Sequence, residues 1–266
     1  MKFALNIKPS SILRAFTFVF AGFAVAGYIL SFVSPETNKF INFHFLQKLA
    51  LYCLISTATF NHFLSTKKYL VVHLFIMMLG SALLLQINIF SALTSLLSVA
   101  LLFTKIPFTD KVKIHFHYLV VFAVSILSNQ YSFMEHGWVL LLPVLFYASV
   151  WPVINDTGRP IQKYTVILLM LAAIGVFAMG SLIPPFQILE ALPFIIIWFF
   201  GVLYRLNQYF SDDNKNNNVH LLEKIPSNIV LLNAAITAGF AGWYYGVFIF
   251  LLMPFSFVLF KTFEEQ

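Results

Sequence analysis

Charge is what this sequence has least of. Only 10% of its 266 residues are Asp, Glu, Lys or Arg, against about 25% in an ordinary soluble domain. A soluble fold of this length needs a polar shell, and that composition cannot build one. Cysteine is nearly absent too. Cys53 stands alone in an apolar run, which excludes a disulfide framework and a thiolate metal site and reads as a small core hydrophobe. No block of Lys and Arg occurs, so the net charge of +6 points to basic loops beside a membrane rather than to nucleic acid. A P-loop, a G-x-S-x-G elbow, an H-E-x-x-H helix and a dinucleotide fingerprint are all missing.

What remains is hydrocarbon. Apolar residues make up 60% of the chain, 32 of them Phe, and the mean hydropathy is +0.87. The apolar runs are continuous rather than alternating, which favours helices over the strands of a barrel. A helix needs roughly 20 apolar residues to cross about 30 Å of hydrocarbon. Runs of that kind fall at 11–33, 43–63, 69–86, 88–104, 115–130, 138–155, 164–183, 187–205, 228–244 and 246–262. The expected fold is therefore all-α: a polytopic transmembrane helical bundle of nine or ten spans, one integral membrane domain over 1–266. The first run is too long for the core of a signal peptide and reads as a span.

Helix breakers separate the runs. Ser34-Pro35-Glu36, Lys67-Lys68, Lys105-Ile106-Pro107 and Pro184-Pro185 each end one, and Asn155-Asp156-Thr157-Gly158-Arg159-Pro160 is a turn sequence. Residues 211–218 are the one polar low-complexity stretch and read as a loop. Ten spans result if Gly242-Trp243-Tyr244-Tyr245-Gly246 is an interfacial turn, and nine if part of 228–262 lies along the interface.

Charge orients the spans. With the N-terminus inside and strict alternation, fourteen of the sixteen basic residues fall inside, leaving Lys39 and Lys48 outside. The positive-inside rule thus places the N-terminus in the cytoplasm and the chain in the cell membrane, the inner one in a bacterium. The C-terminus follows it inside for ten spans and lies outside for nine.

Ionisable groups at bilayer depth are scarce, and each is a functional candidate by default. His62 and His73 sit near the inner ends of spans two and three. His115 and His117 open span five, and their i,i+2 spacing points them to different helix faces, a poor metal geometry. Glu190 opens span eight, where a helix N-terminus favours an acid. Gln86, Asn88, Asn207 and Asn233 read as amides bonding between helices.

Two polar corners stand out: Asn61 to Tyr69, with Lys67 and Lys68, after span two, and Asn155, Asp156 and Arg159 after span six. They are four spans apart and on the same side. This layout resembles the UbiA-type intramembrane prenyltransferases, in which aspartate-rich motifs after the second and sixth helices hold magnesium on a diphosphate. The resemblance implies a helical bundle around a lipid-facing cavity. It also implies a prenyl or other lipid substrate, met here by Asn61, Lys67, Lys68, Asn155, Asp156 and Arg159. Of the family's first motif, N-D-x-x-D-x-x-x-D, Asn61 is kept, while His62, Ser65 and Tyr69 stand where carboxylates belong. The second keeps Asn155-Asp156 and loses its later acids. A magnesium ion is implied only for an active transferase, no other cofactor or metal site is indicated, and no catalytic residue is assigned. The functional expectation is a membrane protein handling a lipid, catalytically degenerate. The alternatives are a non-catalytic subunit or assembly factor with a membrane-protein partner, and a small-molecule transporter.

Overall fold

The computed structural model describes residues 9–33, 43–103, 110–128, 137–155, 161–183, 186–211 and 228–263. Among them all regular secondary structure is helical, as expected from the unbroken apolar runs. Ten helices follow in order: α1 (Pro9–Val33), α2 (Phe43–Thr66), α3 (Leu70–Leu84), α4 (Ile89–Phe103), α5 (Asp110–Ile126), α6 (Gly137–Asn155), α7 (Ile161–Leu182), α8 (Ile188–Ser211), α9 (Ile229–Ala241) and α10 (Trp243–Phe263). Each coincides with one apolar run. Among the described residues, two helical stretches are long and apolar enough to cross a membrane, Pro9–Gly27 and Tyr164–Leu182, by length and composition. The 15 residues each of α3 and α4 span only about 22 Å at 1.5 Å per residue.

The chain divides into two compact units. One comprises Met1–Glu135 with Leu251–Gln266, the other His136–Phe250. In the first, α1 packs on α5 and α2, α2 on α3 and α5, and α4 on α3 and α5. The α1–α5 contact is close because Gly22 has no side chain: a Cβ there would lie 2.6 Å from Ser125 Cβ and 2.9 Å from the Phe122 carbonyl oxygen. Phe18 continues the seam against Tyr118, ring centroids 5.5 Å apart. Asn88 ties α4 to the end of α5. Its Oδ1 accepts the Ser91 N–H at 2.8 Å, as a helix cap does, and its Nδ2 donates to the Leu127 carbonyl at 2.6 Å. The interhelical role expected for this amide is what it performs.

In the second unit α6 packs on α7 and α8 on α9. Residues 228–240 are buried throughout, so α9 is the central helix, apolar on most of its surface and with the polar Asn233 and Thr237 buried among its apolar residues. The break expected near Gly242 is present. Gly242 has φ +99° with open space where a Cβ would stand, and it turns the chain from α9 into α10. The Trp243 N–H at the start of α10 donates to Glu190 Oε2 at 3.1 Å. Glu190 itself lies in the first turn of α8, so its charge meets the positive ends of two helices.

Candidate functional site

The α2–α3 corner has three residues, Lys67 to Tyr69, between helices that end at Thr66 and start at Leu70. So tight a reversal needs left-handed backbone. Lys67 has φ 53° and Tyr69 φ 58°, neither of them glycine. Left-handed conformation costs an L-residue roughly 1–2 kcal/mol, so other contacts must hold it. The Lys67 N–H donates to the Phe63 carbonyl at 2.8 Å, and the Tyr69 carbonyl accepts the His73 N–H at 3.1 Å. The same carbonyl meets His73 Nδ1 at 2.8 Å.

That last contact fixes a proton. A carbonyl only accepts, so His73 Nδ1 donates, and in the neutral ring Nε2 is left as acceptor. His73 Nε2 lies 2.7 Å from His62 Nδ1, which therefore donates to it. The two ring centroids are 4.9 Å apart and the planes differ by 19°. The short contact plus the two ring radii accounts for that spacing, so the rings meet edge to edge. The pair is buried, and it links α2 to α3 beneath the corner.

Beside it, Asn61 is buried, and its Nδ2 has no hydrogen-bond partner. Lys67 and Lys68 are exposed. From residue 43 to 103 the chain has no Asp or Glu, so α2, α3 and α4 bring donors and positive charge to the corner and no carboxylate of their own. Three of the six residues expected at the site, Asn61, Lys67 and Lys68, thus share one corner. Asn155 is the last residue of α6. Its side chain, Asp156 and Arg159 lie outside the described residues. No group of three His, Cys, Asp or Glu side chains forms a metal site among the described residues.

A second polar feature lies deeper in the same unit. His117, fully buried, contacts Thr57 Oγ1 of α2 through Nε2 at 3.1 Å and Ser98 Oγ of α4 through Nδ1 at 2.9 Å. Its ring stacks on Phe60, centroids 4.7 Å apart and planes 9° apart. One imidazole therefore joins α2, α4 and α5. Ser91, Ser95 and Ser98 all face inward on α4, and Ser56, Ser95 and Ser98 surround the buried Tyr52 hydroxyl. Reading His117 only for its spacing from His115 misses this. The available signal was the serine stripe, recurring at helical spacing in an otherwise apolar run, with Leu93, Leu96 and Leu97 on the other face. No family model, curated protein or solved structure matches the chain.

Proposed function

We propose that the chain is a multi-pass integral membrane protein with a cytoplasmic N-terminus. The inside-out burial of α3 and α4 carries this reading. Helix α4 buries Ser91, Ala92, Ser95 and Ser98 along with Leu102, and exposes Phe90, Leu93, Leu96, Leu97 and Phe103. Helix α3 buries His73, Gly80 and Ser81 along with Met77 and Leu84, and exposes Val71, Phe75, Met78 and Leu79, with Phe75 63% exposed. Holding one such side chain in water rather than in a core forgoes about 1.5–3 kcal/mol. Nine of them, 40–78% exposed, forgo on the order of 10 kcal/mol, comparable to the 5–15 kcal/mol net stability of a typical domain. Against lipid tails that penalty vanishes, and small polar residues between helices become the expected interior. Because α3 and α4 are short, they form either two crossings or a hairpin that returns to its own side. Both leave the orientation of every later span unchanged. Reporter fusions after Lys68, Lys113 and Lys163 are expected to report the cytoplasm in all three cases, and a single outside signal overturns the orientation.

The function we propose is the handling of a lipid with an anionic head group, received at the α2–α3 corner. The UbiA-like layout supplies the class of lipid, a prenyl diphosphate being the first candidate. The chemistry of the corner supports binding over transfer. Lys67, Lys68 and the Asn61 amide suit an anion, but magnesium is normally assembled by carboxylates, and residues 43–103 contain none. Preorganised cations must meet the charge that develops on the leaving diphosphate, and binding ground and transition states alike does not raise the turnover number. Purified protein with radiolabelled prenyl diphosphate is expected to retain the label, about tenfold less in Lys67→Ala/Lys68→Ala. No turnover is expected with magnesium and a panel of aromatic or lipid acceptors. Robust transfer that disappears in Asp156→Asn overturns the degenerate reading. No retained label overturns the lipid reading and leaves the non-catalytic subunit.

A further inference from the structure

The His62–His73 pair has a fixed capacity for protons. His73 Nδ1 donates to the Tyr69 carbonyl at 2.8 Å, and a second proton lies in the 2.7 Å contact between His62 Nδ1 and His73 Nε2. With both rings neutral, those two are all that the pair carries. A third proton enters at His62 Nε2. It makes one imidazolium, and the bridge between the rings becomes a charge-assisted hydrogen bond, stronger than the neutral one. A fourth can enter only at the bridge itself. Two N–H groups would then face each other across 2.7 Å, where a hydrogen bond needs one nitrogen to accept.

The surroundings do nothing to offset a second positive charge. The pair lies under Lys67, Lys68 and Tyr69 of the corner, all exposed. On α2 itself, Tyr52 and Cys53 stand more than two turns away. Of the helices packed on α2 and α3, α4 has no titratable side chain, α1 brings Arg14, and α5 brings Lys113, His115, His117 and Tyr118. Among the described side chains of these helices none is acidic; those of Asp110 and Lys111 lie outside the described residues. Phe63 meets the His73 ring at a steep angle, centroids 5.6 Å apart. Farther from the corner, Phe60, Met77 and Leu102 form an apolar cluster on which Phe63 and Leu74 pack.

We infer that the His62–His73 pair is an acid-opened latch on the α2–α3 corner, shut with one added proton or none and open with two. Lys67 and Tyr69 hold left-handed backbone, φ 53° and 58°, which is unfavourable for L-residues. The pair ties α2 to α3 beside that strained turn. Parting the rings therefore lets residues 67–69 relax and moves both lysines. The apolar cluster carries no titratable group, so opening stays local to the corner. The sign follows from the proton count. The shut pair takes up one proton and the parted rings two. The open form thus binds one proton more, and acid favours it by about tenfold per pH unit where that difference is complete. The latch rests on the histidine geometry and not on the lipid reading, so either stands if the other fails.

The full chain in detergent, with ¹⁵N-labelled histidine, counts the protons directly. The chain has seven His, and the ring signals lost in His62→Asn and in His73→Asn identify the two. At about pH 8, the upper end of the imidazole range, a scalar coupling is expected across the N–H···N bridge, with His73 Nδ1 protonated. On acidification the coupling is expected to survive the first proton and to disappear with the second. Spin labels at Ser65 and Val72, both exposed, in a Cys53→Ala background, are expected to report the opening over the same interval, the open fraction rising about tenfold per pH unit. His62→Asn sets an amide where Nδ1 stood. That amide donates to neutral His73 and, turned over, accepts from protonated His73, so the corner is expected to stay shut in acid. If His62→Asn fails to fold, the wild-type titration decides alone. Absence of the coupling at about pH 8, a coupling that outlasts both protons, or a label distance indifferent to pH overturns the inference. So does opening of His62→Asn at the same pH as the wild type.

Discussion

Alanine at Gly22 is expected to destabilise the first unit, and the same change at Gly80 to leave it unchanged or stabilise it. Both glycines are buried in helices, where alanine is intrinsically better by about 1 kcal/mol. What differs is the neighbour. At Gly80 a Cβ would meet Ile55 Cγ2 at 3.5 Å and Tyr52 Cδ2 at 3.6 Å, ordinary contact that adds dispersion without displacement. At Gly22 it would meet Ser125 Cβ at 2.6 Å, the Phe122 carbonyl oxygen at 2.9 Å and the Ile126 nitrogen at 3.2 Å. Two of those atoms are backbone, so no rotamer relieves the clash and α1 must move away from α5. Overpacking of that kind costs typically 1–3 kcal/mol, which exceeds the propensity gain. It also opens the Phe18 seam with Tyr118 and Phe122. Gly22→Leu is expected to prevent assembly altogether. The check is the thermal unfolding of purified protein, with a drop of several degrees for Gly22→Ala and a neutral or upward shift for Gly80→Ala. Equal shifts at the two positions would mean that α1 and α5 are not packed through Gly22.

Gly22 also marks where sequence reading stopped. The ten apolar runs translate into ten helices because the breakers act locally. The turn at Gly242, with its positive φ, ends one helix locally, and a continuous apolar run of fifteen or more residues has little alternative to helix. Which glycine is a close-packed contact is a property of two helices a hundred residues apart, and one strand of sequence carries no sign of it. Gly22 and Gly80 look alike in the chain and differ only in what faces them. The corner was legible for a similar local reason. Asn61, Lys67 and Lys68 lie within eight positions of one another, so any tight turn brings them together. His62 and His73 were legible as two histidines near an inner boundary. Their pairing depends on the left-handed backbone at Lys67 and Tyr69, which neither residue type announces.

Removing the His117 imbidazole ring is expected to destabilise the first unit, more by the space it leaves than by the hydrogen bonds it breaks. The ring bonds Thr57 and Ser98, on helices 60 and 19 positions away in sequence. Both partners are hydroxyls, each able to donate or accept, so the network is satisfied in either neutral tautomer of the imidazole. That redundancy also limits the damage. In His117→Leu, Thr57 and Ser98 lose a partner across the helix interface and turn to carbonyls one turn back on their own helices, as Ser125 and Thr237 already do. Interhelical hydrogen bonds in membranes average about 0.6 kcal/mol and reach about 1.7, so His117→Leu is expected to cost about 1–3 kcal/mol. In His117→Ala the bonds are lost and a cavity opens against the flat face of Phe60, apolar and closed to solvent. Large-to-small changes of that size cost about 2–5 kcal/mol, so alanine is expected to be worse than leucine by at least the cavity contribution. A double-mutant cycle of His117→Leu with Ser98→Ala separates the two effects. A coupling of about 0.5–1.5 kcal/mol measures the Nδ1 contact, and the further loss in alanine over leucine measures the cavity. Leucine and alanine of equal stability, with no coupling to Ser98, would show that the ring neither fills space nor joins α4 to α5.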